Sequence, residues 1–597
     1  MRARVSLAAP AAPIARTCRL AATGFALALS VAAGACSRGA DSGGADAAAA
    51  ADLVLVGGRI VTVDSARPEA QAVAIRGDRI VAVGSDADVR RLAGKATQVI
   101  ELGGRLAIPG FIEGHGHFTG LGDSKTILDL TTARTWDDIV AMVGEAAAKA
   151  QPGEWIRGRG WHQEKWDRVP QPSVEGVPLH ASLDRVSPNN PVTLGHASGH
   201  ASFVNARALE LAGITRRTAN PAGGEIVKDA RGEPTGLMRE TAQRLVSAAR
   251  DRAPKITSDE QDDADFRRIV GLAGEEAITH GVTTFHDAGA SFATIDRLKA
   301  MADRGELPVR LYVMVRRESH DEMEAKLDAY RLIGYGNDFL TVRSIKRQID
   351  GALGPHGAWL LAPYADLPSS SGLMLEKPED IARTADIAIR HGFQVNTHAI
   401  GDRANKETLD IYERTFAAHP DKTDLRWRVE HAQHLTPSDV PRFKRLGVIA
   451  SMQANHATSD GPWVLKRLGP ERARSGAYLW RSLLDAGVVV TNGTDVPVEK
   501  IDPIAVFYSS VTRKTLDGTP FFPEQRMTRQ EALYSYTMAN AYAAFEEASK
   551  GSVTPGKLAD IVILSKDIMR VPEDEIPTAR VDVTILGGKV RYRREAP

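Results

Sequence analysis

Eight short runs rich in apolar and β-branched residues, at 111–117, 282–287, 309–315, 342–349, 393–398, 428–431, 448–453 and 488–495, alternate with segments of helical pattern along this 597-residue chain. Such alternation marks parallel strands, because parallel neighbours need a long return connection and a helix supplies it. Eight repeats match the number that closes a sheet on itself, so the predicted fold class is α/β, a TIM (β/α)8 barrel occupying 108–551. The interval between the first two runs is too long for one crossover. It carries the turn clusters Asn189-Asn190-Pro191, Pro221-Ala222-Gly223-Gly224 and Gly232-Glu233-Pro234, which predict an inserted subdomain at 151–239 after strand one.

The two ends share a different texture. Leu53-Val54-Leu55-Val56, a Gly57-Gly58 turn and Ile60-Val61-Thr62-Val63 read as a small sheet, and 559–564 and 581–586, with a Gly587-Gly588 turn, repeat the pattern. Chain ends meet at the bottom of a barrel, so 52–107 and 552–597 are expected to pair as one composite β-sandwich domain.

Ahead of them, Arg2, Arg4, Arg16 and Arg19 precede an apolar run at 20–33 that ends in Ala33-Gly34-Ala35-Cys36. Basic, then apolar, then small residues before a cysteine is the grammar of a lipoprotein-type signal peptide, placed at 1–36, with Cys36 as the lipid anchor. Cleavage near Ala35 with release into the periplasm is the other open reading; both place the chain in a bacterial cell envelope. Residues 37–51, mostly Gly, Ala, Ser and Asp, read as a flexible tether. With Cys18 removed, at most one cysteine remains and no internal disulfide forms. Lys+Arg and Asp+Glu balance at 75 each, which leaves no basic field for nucleic acid. The expected partner is a small molecule, with membrane contact only through the anchor; a homodimer stays open.

The chemistry concentrates where candidate strands stop. In Glu113-Gly114-His115-Gly116-His117 the two histidines are two apart on a strand, so both imidazoles can reach one metal. Gly114 and Gly116 are read as clearing that approach. His398 and His431 each close a run, 33 residues apart, the length of one strand–helix unit, and Asp495 stands at the end of the last run. Four histidines and an aspartate at strand ends suit Zn2+ or a similar borderline divalent ion. Trp161, His162, His196, His200 and His286 are candidates for lining the substrate pocket.

His-Xaa-His after strand one, histidines after strands five and six and aspartate after strand eight resemble the amidohydrolase superfamily. Thr397-His398-Ala399-Ile400-Gly401-Asp402-Arg403-Ala404, Val429-Glu430-His431-Ala432-Gln433 and Gly493-Thr494-Asp495-Val496-Pro497-Val498 are similar to amidohydrolase family 3, the group that includes N-substituted formamide deformylases. The likeness runs from about Leu53 to the end and takes in Gly160-Trp161-His162-Gln163 and Gly199-His200 of the insertion. It implies metal ligation by His115, His117, His398, His431 and Asp495, and a carboxylated Lys346 as a bridge between two ions. Arg347 and Gln348 depart from the family's commoner pattern, which leaves one ion or two open. The implied activity is hydrolysis of a non-peptide, amide-type C–N bond, with Asp495 as the proton carrier. Deamination of a heterocycle on the same scaffold calls for a glutamate shortly after the fifth-strand histidine, and Ala399-Ile400-Gly401-Asp402 has none. A non-catalytic binding lipoprotein is the reading from another class, and it predicts missing ligands.

Overall fold

The computed structural model describes residues 50–253 and 258–595. The expected signal peptide, the expected Cys36 anchor and nearly all of the expected tether lie outside these residues. Ala51, 3 % exposed, already opens a strand. No helix among the described residues is long and apolar enough to cross a membrane.

Eight parallel strands form the barrel: β1 (Phe111–Gly116), β2 (Val282–Ala290), β3 (Arg310–Val315), β4 (Leu340–Gln348), β5 (Gln394–Ala399), β6 (Arg428–His431), β7 (Ile449–Met452) and β8 (Val490–Asn492). They neighbour one another in chain order, and each predicted run contributes one. Burial on both faces explains the continuous apolar texture: all six residues of β3 are buried, as are all six of β5. Crossover helices follow local rules. The helix Pro378–His391 has proline in its first turn, Glu379 and Asp380 at its positive end, and Gly392 at φ 69° to stop it.

The seam between β8 and β1 closes just beyond the strand ends. Asp495 N donates to His115 O and His117 N to Val496 O, both at 2.7 Å. Asn540 Nδ2 ties the two strands lower down by donating to Ile112 O and Asn492 O. Gly114 serves this seam, not a metal approach: a Cβ there would stand 2.4 Å from Asn492 O, and one on Gly116 would stand 2.6 Å from Phe285 Cζ.

Both chain ends share a domain below the barrel. Ile561–Leu564 pairs antiparallel with Leu106–Pro109, inside a six-stranded sheet that runs from Lys589–Arg593 to Glu69–Ala70. A four-stranded sheet of Arg79–Gly84, Ala72–Arg76, Ala51–Val56 and Ala93–Glu101 packs against it, and Leu55, Val73, Ile561 and Ile585 meet in their shared core. The inserted sheet starts ahead of the predicted 151–239. It begins at Leu128–Asp129, and helix Trp136–Ala147 packs Trp136, Ile139 and Val143 into the same core as Leu194 and Phe203. A two-residue strand leaves no periodic signal, and that helix reads as an ordinary barrel crossover.

Candidate metal centre

The strand ends deliver their side chains to one point. His115 Nε2 lies 3.6 Å and His117 Nε2 3.3 Å from Asp495 Oδ1. Asp495 sits at φ 59°, and His431 and Ala432 at φ 76° and 43°. Left-handed backbone at such residues costs about 1–3 kcal/mol and persists only where the surroundings impose it. Behind the converging atoms, further side chains fix the tautomers. The Glu430 carboxylate accepts from His115 Nδ1, and Gln453 Oε1 accepts from His431 Nδ1 at 2.7 Å. Each bond leaves the lone pair on Nε2, the form that ligates metal.

Lys346, 3 % exposed, places Nζ 3.2 Å from His115 Nε2. Burial, with Arg316 nearby, pushes its ammonium down to about 8. His398 stands beside His431, ring centroids 4.4 Å apart, but its Nε2 is 3.5 Å from Asp350 Oδ1. The carboxylate and imidazole atoms lying within 4.8 Å of one another form two groups that share Asp495: His115 with His117, and His431 with His456. Sequence reasoning included His398 in the convergent set and overlooked His456, Glu430 and Gln453. Only Glu430 had a visible cue, its place beside His431.

Burial lowers the pKa of His115, His398 and His431, so these imidazoles are neutral. Burial works to raise Asp495, but His117, with Nε2 3.3 Å from Oδ1, helps to hold its carboxyl well below the usual range. His398 Nε2 and Asp495 Oδ1 are buried with no hydrogen bond of good geometry. Neutral imidazoles, an ionised carboxylate and unsatisfied atoms among them fit a divalent cation.

A cavity opens above this point. His200, His162, His398, His431, His456, Trp463 and Asp495 line it, so the insertion roofs the barrel mouth. His200 Nδ1 is fixed 2.9 Å from Glu240 Oε2, and the His162 ring packs on Trp463 and on His196, at centroid distances of 4.7 and 4.5 Å. Three pocket candidates lie outside this cavity: Trp161 and His196, which border a neighbouring one, and His286. Trp161 stacks on Trp166, donates Nε1–H to Leu194 O and fills the insertion's core, because strand alternation turns it away from the side His162 takes. His286 is mid-strand, since β2 continues to Ala290; it lies inside the barrel, with Nδ1 3.3 Å from Arg428 Nη1 and its ring 5.0 Å from Tyr312.

Comparison with known proteins agrees with this geometry. A model of the amidohydrolase family matches residues 98–592. The chain is 35 % identical over 554 residues to the protein LONG AFTER FAR-RED 3 of Arabidopsis thaliana, covering 91 % of this chain and 92 % of that one. It is 27 % identical over 551 residues to the N-substituted formamide deformylase of Arthrobacter pascens, covering 91 % and 98 %. The crystal structure of an uncharacterized metal-dependent hydrolase from Pyrococcus furiosus matches with a TM-score of 0.67 at 26 % identity, covering 87 % of this chain and 100 % of that one. The chain therefore belongs to the amidohydrolase family, as a metal-dependent hydrolase.

Proposed function

We propose that this hydrolase cleaves a non-peptide, amide-type C–N bond of a small molecule, with N-substituted formamides as the first class to examine. The observation that carries the reading is the ionised, buried Asp495, shared between His115 and His117 on one side and His431 on the other. The deformylase activity in the Arthrobacter relative's name supports the choice of bond. His115, His117 and Asp495 would hold the ion, Zn2+ being the species that such ligands favour, with Lys346 and His431 beside them. A divalent ion bound there supplies a water of lowered pKa and a polarised carbonyl. Asp495 takes a proton from the attacking water and returns it to the leaving nitrogen, since a carboxylate beside both can act as base and then acid. The near-neutral pKa of Lys346 leaves part of its amine unprotonated and open to carboxylation by CO2.

Amine release from a panel of N-alkyl and N-aryl formamides, before and after exhaustive chelation and after Zn2+ is restored, tests the reading. Activity that disappears with the metal and returns with it is expected; turnover that survives chelation would overturn it. Anchoring in the cell envelope through Cys36 is proposed on sequence grounds. The mass of the mature amino terminus tests it, and an unmodified, uncleaved Met1 terminus would contradict it.

A further inference from the structure

Beyond β7 the helix Ala454–Leu468 sets His456, Asp460 and Trp463 along the cavity. Spacings of four and three residues place the three in one row on a single helix face. Two members of that row leave a buried nitrogen without a hydrogen-bond partner: His456 Nε2 and Trp463 Nε1. An unpaired buried polar atom costs about 1–3 kcal/mol, so two of them facing one cavity imply a partner that comes from outside.

The state of His456 follows from its other nitrogen. Gln433 Nε2 donates to His456 Nδ1 at 3.0 Å, and an imidazole that accepts at Nδ1 carries its proton on Nε2. His431 is in the opposite state, because its Nδ1 donates to the Gln453 carbonyl. Two glutamines thus sort two imidazoles whose ring centroids are 6.1 Å apart and whose planes differ by 21°. One ring offers a lone pair and the other an N–H. His456 Nε2 is 3.9 Å from Asp495 Oδ2, too far for a hydrogen bond, so its N–H is not spent on that carboxylate.

We propose that His456, held by Gln433, is a catalytic residue that donates its Nε2–H to the carbonyl oxygen of the scissile group as negative charge gathers there, and that it is not a metal ligand. The role rests on the amide-hydrolase reading above. No bond to His456 forms or breaks; the hydrogen bond strengthens as the oxygen becomes anionic, and the proton stays on Nε2. Gln433 is the positioning residue, acting only through the tautomer. The rival is a second cation held by His431, His456 and Asp495, whose ligand atoms lie close enough for one.

Metal content, kinetics and histidine spectra of the full-length Zn-loaded protein separate the two. Wild type, His456→Gln and His456→Leu are compared by metal per chain, by amine release from an N-aryl formamide, and by 15N spectra of protein labelled at histidine. Metal per chain should be the same in all three. His456→Leu should lower kcat by about 10²–10³-fold with KM within about threefold, and His456→Gln, which keeps an N–H, should recover at least about tenfold of that loss. The 15N resonances that vanish in both variants should show the proton on Nε2. One metal lost per chain in both variants, or an Nε2 without its proton, overturns the proposal. If wild type releases no amine, the amide-hydrolase reading fails on its own, while metal content and tautomer still decide the state of His456.

Discussion

Asp495 carries the heaviest demand of any side chain here, since in the proposed reaction it must stay ionised while buried among three imidazoles and still exchange a proton. Replacing it by asparagine keeps an oxygen at the proposed metal site and removes the proposed base. Asp495→Asn should therefore retain most of its metal while kcat falls by about 10²–10⁴-fold, as steady-state kinetics beside metal analysis would show. Glu430 acts through His115. Glu430→Gln removes the carboxylate that holds the His115 tautomer, and metal affinity in a chelator competition should weaken by about 10–100-fold. His115, His117, His431 and Asp495 were legible in sequence because each ends an apolar run. His456 was not, because it lies four residues beyond β7 on a helix, where nothing local separates it from a surface histidine. Tautomers set by Gln453 and Gln433 are likewise tertiary facts: their partners are 22 and 23 residues away in the chain.

At the level of elements, all eight barrel strands were visible because strands buried on both faces need unbroken β-branched runs. The seam and the first inserted strand were not, since one is closed by backbone beyond the strands and the other has two residues. Charge at helix ends also shapes stability. Glu531 sits in the capping box of Arg529–Ser535 and pairs with Arg481 through two hydrogen bonds. The Arg481 hydrogen bonds hold its carboxyl at about 2, against an ordinary 4.5. A depressed folded pKa means that the stabilisation is complete above about pH 4.5 and is lost as the pH falls toward 2. With a side chain 32 % exposed, screening limits the effect to about 1 kcal/mol. Denaturant unfolding followed from pH 6 to 2.5 should show Glu531→Gln less stable than wild type at pH 6, with the gap closing toward pH 2.5.

Across the whole molecule, the barrel and the terminal sheets are joined through a buried ion pair. Arg310, at the start of β3, bonds Asp560 by Nε at 2.8 Å and Nη2 at 3.2 Å, and Asp560 also accepts from Gly587 N. Side-chain exposures of 2 % and 6 % leave neither charge with water as an alternative. Asp560→Ala strands a buried guanidinium and should cost about 3–5 kcal/mol in equilibrium unfolding, whereas a surface pair such as Arg168 with Asp137 should cost less than about 1 kcal/mol. The terminal sheets are thus tied to the barrel by a buried charge pair. The insertion plays the complementary part at the other end, where His162 and His200 complete the cavity that the barrel alone leaves open.

Anomalous diffraction from crystals of the Zn-loaded protein, recorded at the zinc edge, tests the metal centre most directly. A peak at about 2.0–2.2 Å from His115 Nε2, His117 Nε2 and an Asp495 oxygen is the predicted result. Fully active crystals with no peak at that point would contradict it.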